Sequence, residues 1–222
     1  QMTSHNTYAR NVKTLRAAAQ KASDEDAEML ALPEAAGLMD RDKVHARAQI
    51  TTEDADPYIA GCREVAAKHS IWVHSGSSPV KSHDGRYLNH TVLIAPTGEI
   101  VARYDKVHLF DVFLEGRKAT GESARYAPGN EAVVVDSPFG PLGLSICYDL
   151  RFPYLYRSLA LAGADILTVP SAFSPVTGVA HWSALLQARA IETGCYVLAP
   201  AKFGTHPAKS GKPGKSFRHS MT

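Results

Sequence analysis

Three reactive side chains in this sequence share one setting, the end of a short apolar run. Glu34 follows Leu32-Pro33, Lys106 follows Tyr104-Asp105, and Cys147 follows Ser145-Ile146. If the three runs are strands lying side by side, their last side chains emerge together at one edge of the sheets. A Glu, a Lys and a Cys so placed form a nucleophilic set. The carboxylate accepts the thiol proton, and the ammonium stabilises first the thiolate and then an oxyanion. Singly, each has an ordinary alternative: Cys147 as an inert core thiol, Glu34 as a solvated carboxylate opening a loop, Lys106 as a surface lysine. The set carries the signal; its members do not.

The elements that must position these residues follow from the hydrophobic pattern. Around Cys147, residues 143–153 read as strand, turn and helix start, which sets the sulfur beside helical N–H groups that favour a thiolate. Upstream, caps at residues 4–7 precede Tyr8, Val12, Leu15 and Ala19 at helical spacing. Met29-Leu30-Ala31-Leu32 is a short strand, and the polar residues 37–52 read as a loop. Asp56-Pro57 caps a helix with Ile59, Cys62 and Ala66 on one face, which assigns Cys62 to the core; Ile71-Trp72-Val73-His74 is the next strand.

Two hairpins follow, residues 90–95 with 99–104 and residues 132–135 with 142–146, each around a Pro/Gly turn. Between them, residues 111–130 read as a loop carrying Glu115, Arg117, Lys118, Glu122 and Arg125. Beyond Cys147 come a helix over residues 153–162, a strand at 166–169, a helix over 181–192 and a buried strand at 196–199 that opens on an inert Cys195. Residues 206–215 read as a mobile surface loop with solvated lysines. Helix–strand units on either side of two hairpins need both parallel and antiparallel neighbours. Two mixed sheets packed face to face, with helices outside, accommodate both.

Composition narrows the rest. With 222 residues, 45% hydrophobic and 21% charged, the chain fits one ordinary soluble domain with a sizeable core. A net charge of +2 is too small to imply nucleic acid or an anionic membrane as partner. No apolar run spans a bilayer, and no secretory pattern opens the chain. Three distant cysteines fit reduced thiols in the cytoplasm, and ten scattered histidines without HExxH-like spacing give no metal site. The first residues read as the end of a strand and residues 217–222 as a strand beginning, so the chain reads as clipped at both ends.

The motifs, taken in order, resemble those of the nitrilase, or carbon–nitrogen hydrolase, superfamily over nearly the whole chain. Leu32-Pro33-Glu34 is similar to its glutamate motif, Tyr104-Asp105-Lys106-Val107-His108-Leu109-Phe110-Asp111 to its lysine motif, and Cys147-Tyr148-Asp149-Leu150-Arg151-Phe152-Pro153 to its cysteine motif. Gly121-Glu122-Ser123 resembles the second family glutamate, which sits beside the lysine. Pro170-Ser171-Ala172-Phe173, His181-Trp182 and Ala188-Arg189-Ala190-Ile191-Glu192 extend the likeness. Tyr148-Asp149 with Arg151-Phe152-Pro153 is similar to the amidase branch, which contains ω-amidases and deaminated-glutathione amidases, and Phe173 with Thr177-Gly178 leans to the latter.

The resemblance implies a four-layer αββα sandwich of two mixed sheets flanked by helices. It implies one domain over residues 1–222 that lacks most of its first strand and its C-terminal strands. The implied activity is hydrolysis of a small linear, carboxylate-bearing amide through a cysteine thioester, releasing ammonia and needing no cofactor. Glu34 is the implied proton acceptor, Lys106 and the Tyr148 N–H the oxyanion donors, and Cys147 the nucleophile. Glu122 either holds Lys106 in place within the catalytic set or forms a structural salt bridge. Tyr148, Arg151, Phe173 and Thr177 are the implied substrate contacts, with Arg151 either anchoring the substrate carboxylate or pairing with Asp149. His181-Trp182 reads as a helix start, and Arg189 with Glu192 as a helix-surface or subunit-contact pair. The expected partners are the substrate and a second copy of the chain, as a homodimer or higher homo-oligomer.

Other readings compete. An ω-amidase, a nitrilase or a carbamoylase would use the same set on another substrate. A Cys–His hydrolase would take His108 or His181 as base and leave Glu34 and Lys106 idle. An interaction module would keep the scaffold without turnover.

Overall fold

Period-two alternation along the strands decides which layer each side chain joins. The computed structural model describes residues 1–112, 120–173, 175–206 and 218–219. Its first sheet holds β1 (Met29–Ala31), β2 (Trp72–His74), β3 (Ser78–Lys81), β4 (Tyr87–Ile94) and β5 (Ile100–Asp105). β1 runs parallel to β2, whereas β2, β3 and β5 each pair antiparallel with β4. Helices α1 (Tyr8–Asp24), α2 (Lys43–Gln49) and α3 (Pro57–His69) belong to this half. Leu15 of α1 and Ile59, Cys62 and Val65 of α3 pack with Val73, Val92 and Ile94, the outward residues of β2 and β4.

A two-residue ladder joins β6 (Asp111–Val112) to β7 (Thr120–Gly121). The second sheet, in the order β11-β10-β9-β8, contains β8 (Val133–Val135), β9 (Leu142–Leu144), β10 (Ile166–Thr168) and β11 (Tyr196–Leu198). Helices α4 (Pro153–Leu161) and α5 (Pro175–Thr193) flank it, with Leu155, Leu159 and Trp182 in its core. A short ladder of β12 (Gly204–Thr205) with β13 (Arg218–His219) completes the described structure. Leu93 and Tyr104 of the first sheet share a core with Leu142 and Leu144 of the second, so the sheets face each other. His74 crosses between them to Thr168, Nε2 to Oγ1 at 3.2 Å. The αββα order is therefore helices, sheet, sheet, helices.

Four segments differ from expectation. Residues 43–49 form α2 rather than loop, because the Asp42 carboxylate caps Val44 and His45 N–H groups while only Ala46 is buried, too little for a periodic signal. β3 went unread because Ser78 and Pro79 depress strand propensity; its pairing with β4 holds it. Helix α5 begins at Pro175, not at His181. Strand β11 is exposed, with Tyr196 at 81%, although Cys195 before it is buried and directs its Sγ–H to the Ala164 carbonyl at 3.0 Å. Glu115, Arg117, Lys118 and residues 207–215 of the proposed C-terminal loop lie outside the described residues.

The β4–β5 ladder carries different chemistry on its two faces. Asn89 has the parity of inward-facing Leu93, and Lys106 that of inward-facing Tyr104. On the other face His90, registered opposite Asp105, bonds Asp105 Oδ1 through Nδ1 at 2.7 Å and Glu53 Oε2 through Nε2 at 2.9 Å. Arg103 adds a two-nitrogen contact to the same Glu53 carboxylate. Burial pulls the His90 pKa down, but the hydrogen bonds and charges of Asp105 and Glu53 outweigh it and raise it to about 9.

The raised value fixes the sign of a pH effect. The stabilisation is full below the unfolded imidazole pKa near 6.5 and is lost as pH rises through about 9. Its size is up to about 3 kcal/mol. We expect urea denaturation at pH 6 to show His90→Gln less stable than wild type, with the gap shrinking by pH 10. A gap independent of pH would place His90 among ordinary packing residues.

Candidate active site

Each of the three reactive residues leaves its strand through a turn with a local cause. After β1, Leu32 N–H bonds the His74 carbonyl at 3.0 Å, continuing the pairing to the edge where Glu34 emerges. The chain there is so close to Gly76 that a Cβ would lie 2.1 Å from the Pro33 carbonyl oxygen, and Gly76 has φ +73°, so glycine is required. Lys106 follows β5, and its N–H bonds the Asn89 carbonyl at 3.0 Å. Cys147 follows Ile146 with φ +48°, in the left-handed region that a β-carbon disfavours by roughly 1–2 kcal/mol. A short 3₁₀ helix, Cys147–Arg151, begins there.

Asp149 holds that strained turn. Fully buried, it accepts the Ile146 N–H (2.9 Å), the Tyr104 hydroxyl (2.7 Å), the His108 N–H (2.9 Å) and His108 Nδ1 (2.8 Å). It thereby ties the lysine segment to the cysteine segment. Arg189 supports the turn from beneath: Nε and Nη2 donate to the Leu150 carbonyl at 3.1 and 3.0 Å, and Nη1 reaches Glu192 at 2.5 Å. Arg189 is thus buried under the turn and is not the helix-surface residue expected from its spacing with Glu192.

The structure brings Glu34, Lys106, Cys147 and Glu122 together. Lys106 Nζ donates to Glu34 Oε1 at 2.9 Å and to Glu122 Oε2 at 3.0 Å, and is 2% exposed. Glu122 Oε2 also accepts the Phe110 N–H at 2.8 Å, while Glu34 Oε2 accepts the Ala172 N–H at 2.9 Å. Burial works against the charge on Glu34, but Lys106 and the hydrogen bonds outweigh it, so the carboxyl is held below its usual range. Burial likewise opposes the Lys106 charge, and Glu34 and Glu122 overcome it and raise its pKa well above normal. Cys147 is pushed well above the thiol range, by burial first and then by the Glu34 charge, against the pull of Lys106. These directions favour a carboxylate on Glu34, an ammonium on Lys106 and a protonated thiol on Cys147 at neutral pH.

The other expected residues are placed less uniformly. Arg151 does not pair with Asp149, whose oxygens are taken; its guanidinium bonds His181 Nδ1 at 3.1 Å and lies 5.1 Å over the Phe173 ring and 5.9 Å over that of Tyr148. Phe173 is buried against Trp182. Thr177 stands half-buried in the first turn of α5. His108 bonds Asp149 through Nδ1 and stacks on Phe152 at 3.7 Å, and His181 Nδ1 bonds Arg151. The sequence reading missed Asn89, whose Nδ2 donates to both Glu34 and Glu122, and Lys202, a buried amine donating to the Ala35 carbonyl and to Ser4. A polar residue in the inward parity of β4 was the available sign for Asn89.

A buried Glu–Lys–Cys cluster at the edge of a double-sheet αββα sandwich defines the class, and the chain belongs to the carbon–nitrogen hydrolase family, whose model matches residues 1–222. It is 44% identical over 164 residues to the deaminated glutathione amidase of Yersinia enterocolitica, covering 72% of this chain and 55% of that one. The crystal structure of the Caenorhabditis elegans NitFhit protein superposes with a TM-score of 0.86 at 37% identity, covering 98% of this chain and 52% of that one. An amidase from Nesterenkonia sp. AN1, whose active-site cysteine carries a Michael adduct of acrylamide, has a TM-score of 0.77 at 27% identity, covering 93% and 78%. The chain thus spans about half the length of the first two proteins. No helix among the described residues is long and apolar enough to cross a membrane, and none of their side chains cluster as metal ligands.

Removing Lys106 leaves two buried carboxylates facing each other. Lys106→Met is expected to lose about 3–5 kcal/mol in urea denaturation, as broken buried ion pairs do. Cys147→Ala should stay within about 1 kcal/mol of wild type, since it removes one sulfur and no charge. Equal stability of Lys106→Met and wild type would mean the carboxylates find another cation.

Proposed function

We propose that the chain hydrolyses a small linear amide bearing a carboxylate, releasing ammonia through a thioester on Cys147, as a deaminated-glutathione amidase does. One observation carries this reading: a cysteine held at a strained left-handed turn, in the same buried cluster as a Glu34 carboxylate and the Lys106 ammonium bonded to it at 2.9 Å. Strain at a non-glycine residue survives where surrounding bonds enforce it, and here Asp149 and the Pro170 carbonyl do so.

The chemistry follows from the charges. Glu34 takes the Cys147 proton as the sulfur attacks the amide carbon. Negative charge moves to the substrate oxygen, which Lys106 and the Tyr148 N–H stabilise. Glu34 returns the proton to the departing amine, and ammonia leaves with the acyl group on sulfur. Water, deprotonated by Glu34, then cleaves the thioester to give the free acid and restore the thiol. Glu122 keeps Lys106 aligned throughout.

Substrate preference rests on Arg151, free of Asp149 and set among Tyr148, Phe173 and His181. Its guanidinium suits a carboxylate a few bonds from the scissile carbon. The name of the Yersinia relative supports the same class. The reading includes a homo-oligomer, a dimer or larger, working in the cytoplasm. The three free cysteines, all buried, are compatible with it.

Two measurements test this. With a slow amide, mass spectrometry should find the acyl adduct on the peptide containing Cys147; an adduct on Cys62 or Cys195 would remove Cys147 from the role. Arg151→Ala should lower kcat/KM on deaminated glutathione and α-ketoglutaramate by ten- to a hundredfold, about 1.5–3 kcal/mol. A neutral amide of similar length should be hydrolysed almost as well as before. Equal losses on acid-bearing and neutral amides would make Arg151 a structural residue.

A further inference from the structure

We propose that Asn89 is a positioning residue for Glu34, selecting which carboxylate oxygen takes the thiol proton. The proposal rests on the reading of Glu34 as the general base. Asn89 Nδ2 donates to Glu34 Oε1 at 3.0 Å and to Glu122 Oε1 at 3.1 Å. Lys106 Nζ donates to the same Glu34 Oε1 at 2.9 Å and to Glu122 Oε2 at 3.0 Å. Four side chains therefore close a ring in which donors and acceptors alternate: Glu34, Lys106, Glu122, Asn89.

This ring makes the two oxygens of Glu34 unequal. Oε1 receives two donors, from Lys106 and Asn89. Oε2 receives the Ala172 N–H alone, at 2.9 Å. With one donor against the two on Oε1, Oε2 is the oxygen with capacity to accept the thiol proton, and a carboxylate pinned at Oε1 cannot rotate it away. The ladder itself sets the pin, since the Lys106 N–H bonds the Asn89 carbonyl at 3.0 Å and so spaces amide and ammonium together.

The residue type fits the task. Two carboxylates share one ammonium here, and a neutral amide supplies two more N–H bonds without adding charge. A second cation would draw Glu34 further from the proton it must accept. An aspartate would bring a third carboxylate, and an aliphatic side chain would leave Glu34 Oε1 and Glu122 Oε1 each one donor short. The charged groups acting on this ring are Glu34, Glu122 and Lys106, with Cys147, Tyr126 and Lys202 adjoining.

The test uses the full chain with two readouts against pH: kcat/KM for a carboxylate-bearing amide, and the rate at which iodoacetamide alkylates Cys147. Asn89→Leu should lower kcat/KM on the order of ten- to a hundredfold, the loss expected for hydrogen bonds to charged groups. The acid limb of both profiles should move up by about one pH unit, because Glu34 loses a donor that favours its charged form. A loss with neither limb moved, or no loss, overturns the proposal. If Asn89→Leu fails to fold, Asn89→Asp keeps the shape and must shift the limb at least as far; an unmoved limb in that variant overturns it equally. Glu34→Gln separates the two ideas: turnover in that variant would defeat the base itself, whereas an inactive Glu34→Gln beside an unshifted Asn89 variant defeats only the positioning role.

Discussion

Lys106 carries its ammonium into a site almost closed to water, and an unpaired buried ammonium would cost more than a domain of this size has to spare. Two carboxylates must therefore reach it, and they come from distant parts of the chain, Glu34 after β1 and Glu122 after β7. The strand ends are fixed by this requirement as much as by hydrophobic packing. The same pairing favours the charged form of Glu34 despite its burial, as the role proposed for it requires. One electrostatic constraint thus serves assembly and chemistry together, and neither can be altered alone.

The β4–β5 ladder shows how such a constraint is met locally. Its inner face supplies Asn89 and Lys106, and its outer face supplies His90, Asp105 and Arg103, gathered around Glu53. Because side chains alternate, a shift of one residue in register would exchange the two sets. The His90–Asp105 bond lies directly across the ladder, one residue before the Asn89–Lys106 level, and so locks the register on which the inner face depends. A polar network away from the reacting atoms is in this way part of the site's geometry.

Much of this was legible in the sequence. Glu34, Lys106 and Cys147 each end an apolar run, and strand ends converge when the sheets form. The hairpin turns, the Asp56-Pro57 cap and the two-sheet layering follow from local patterns that the structure repeats. What escaped is instructive in physical terms. Helix α2 buries only Ala46, so nothing periodic announced it. Arg189 and Glu192 have the spacing of a surface pair, and their spacing held, but the deciding interaction is with the Leu150 carbonyl, a backbone group with no sequence signature. Asp149 gave the same difficulty: its partners Tyr104, His108 and the Ile146 N–H come from two segments, and only the folded chain brings them to one carboxylate.

The nucleophile's resting state is the remaining step. A thiolate waiting in this site would be a buried charge beside the Glu34 carboxylate; burial first, and then the Glu34 charge, raise the Cys147 pKa against the pull of Lys106. Keeping the proton on sulfur until an amide carbonyl is present avoids it. In the proposed reaction, transfer to Glu34 removes one negative charge as the sulfur gains it, so the total near Lys106 does not change during attack. A Cys–His pair, by contrast, activates its sulfur in advance through a resting ion pair. Here His108 is tied to Asp149, and in the proposed reaction the Glu34 carboxylate takes the proton only when the charge has somewhere to go.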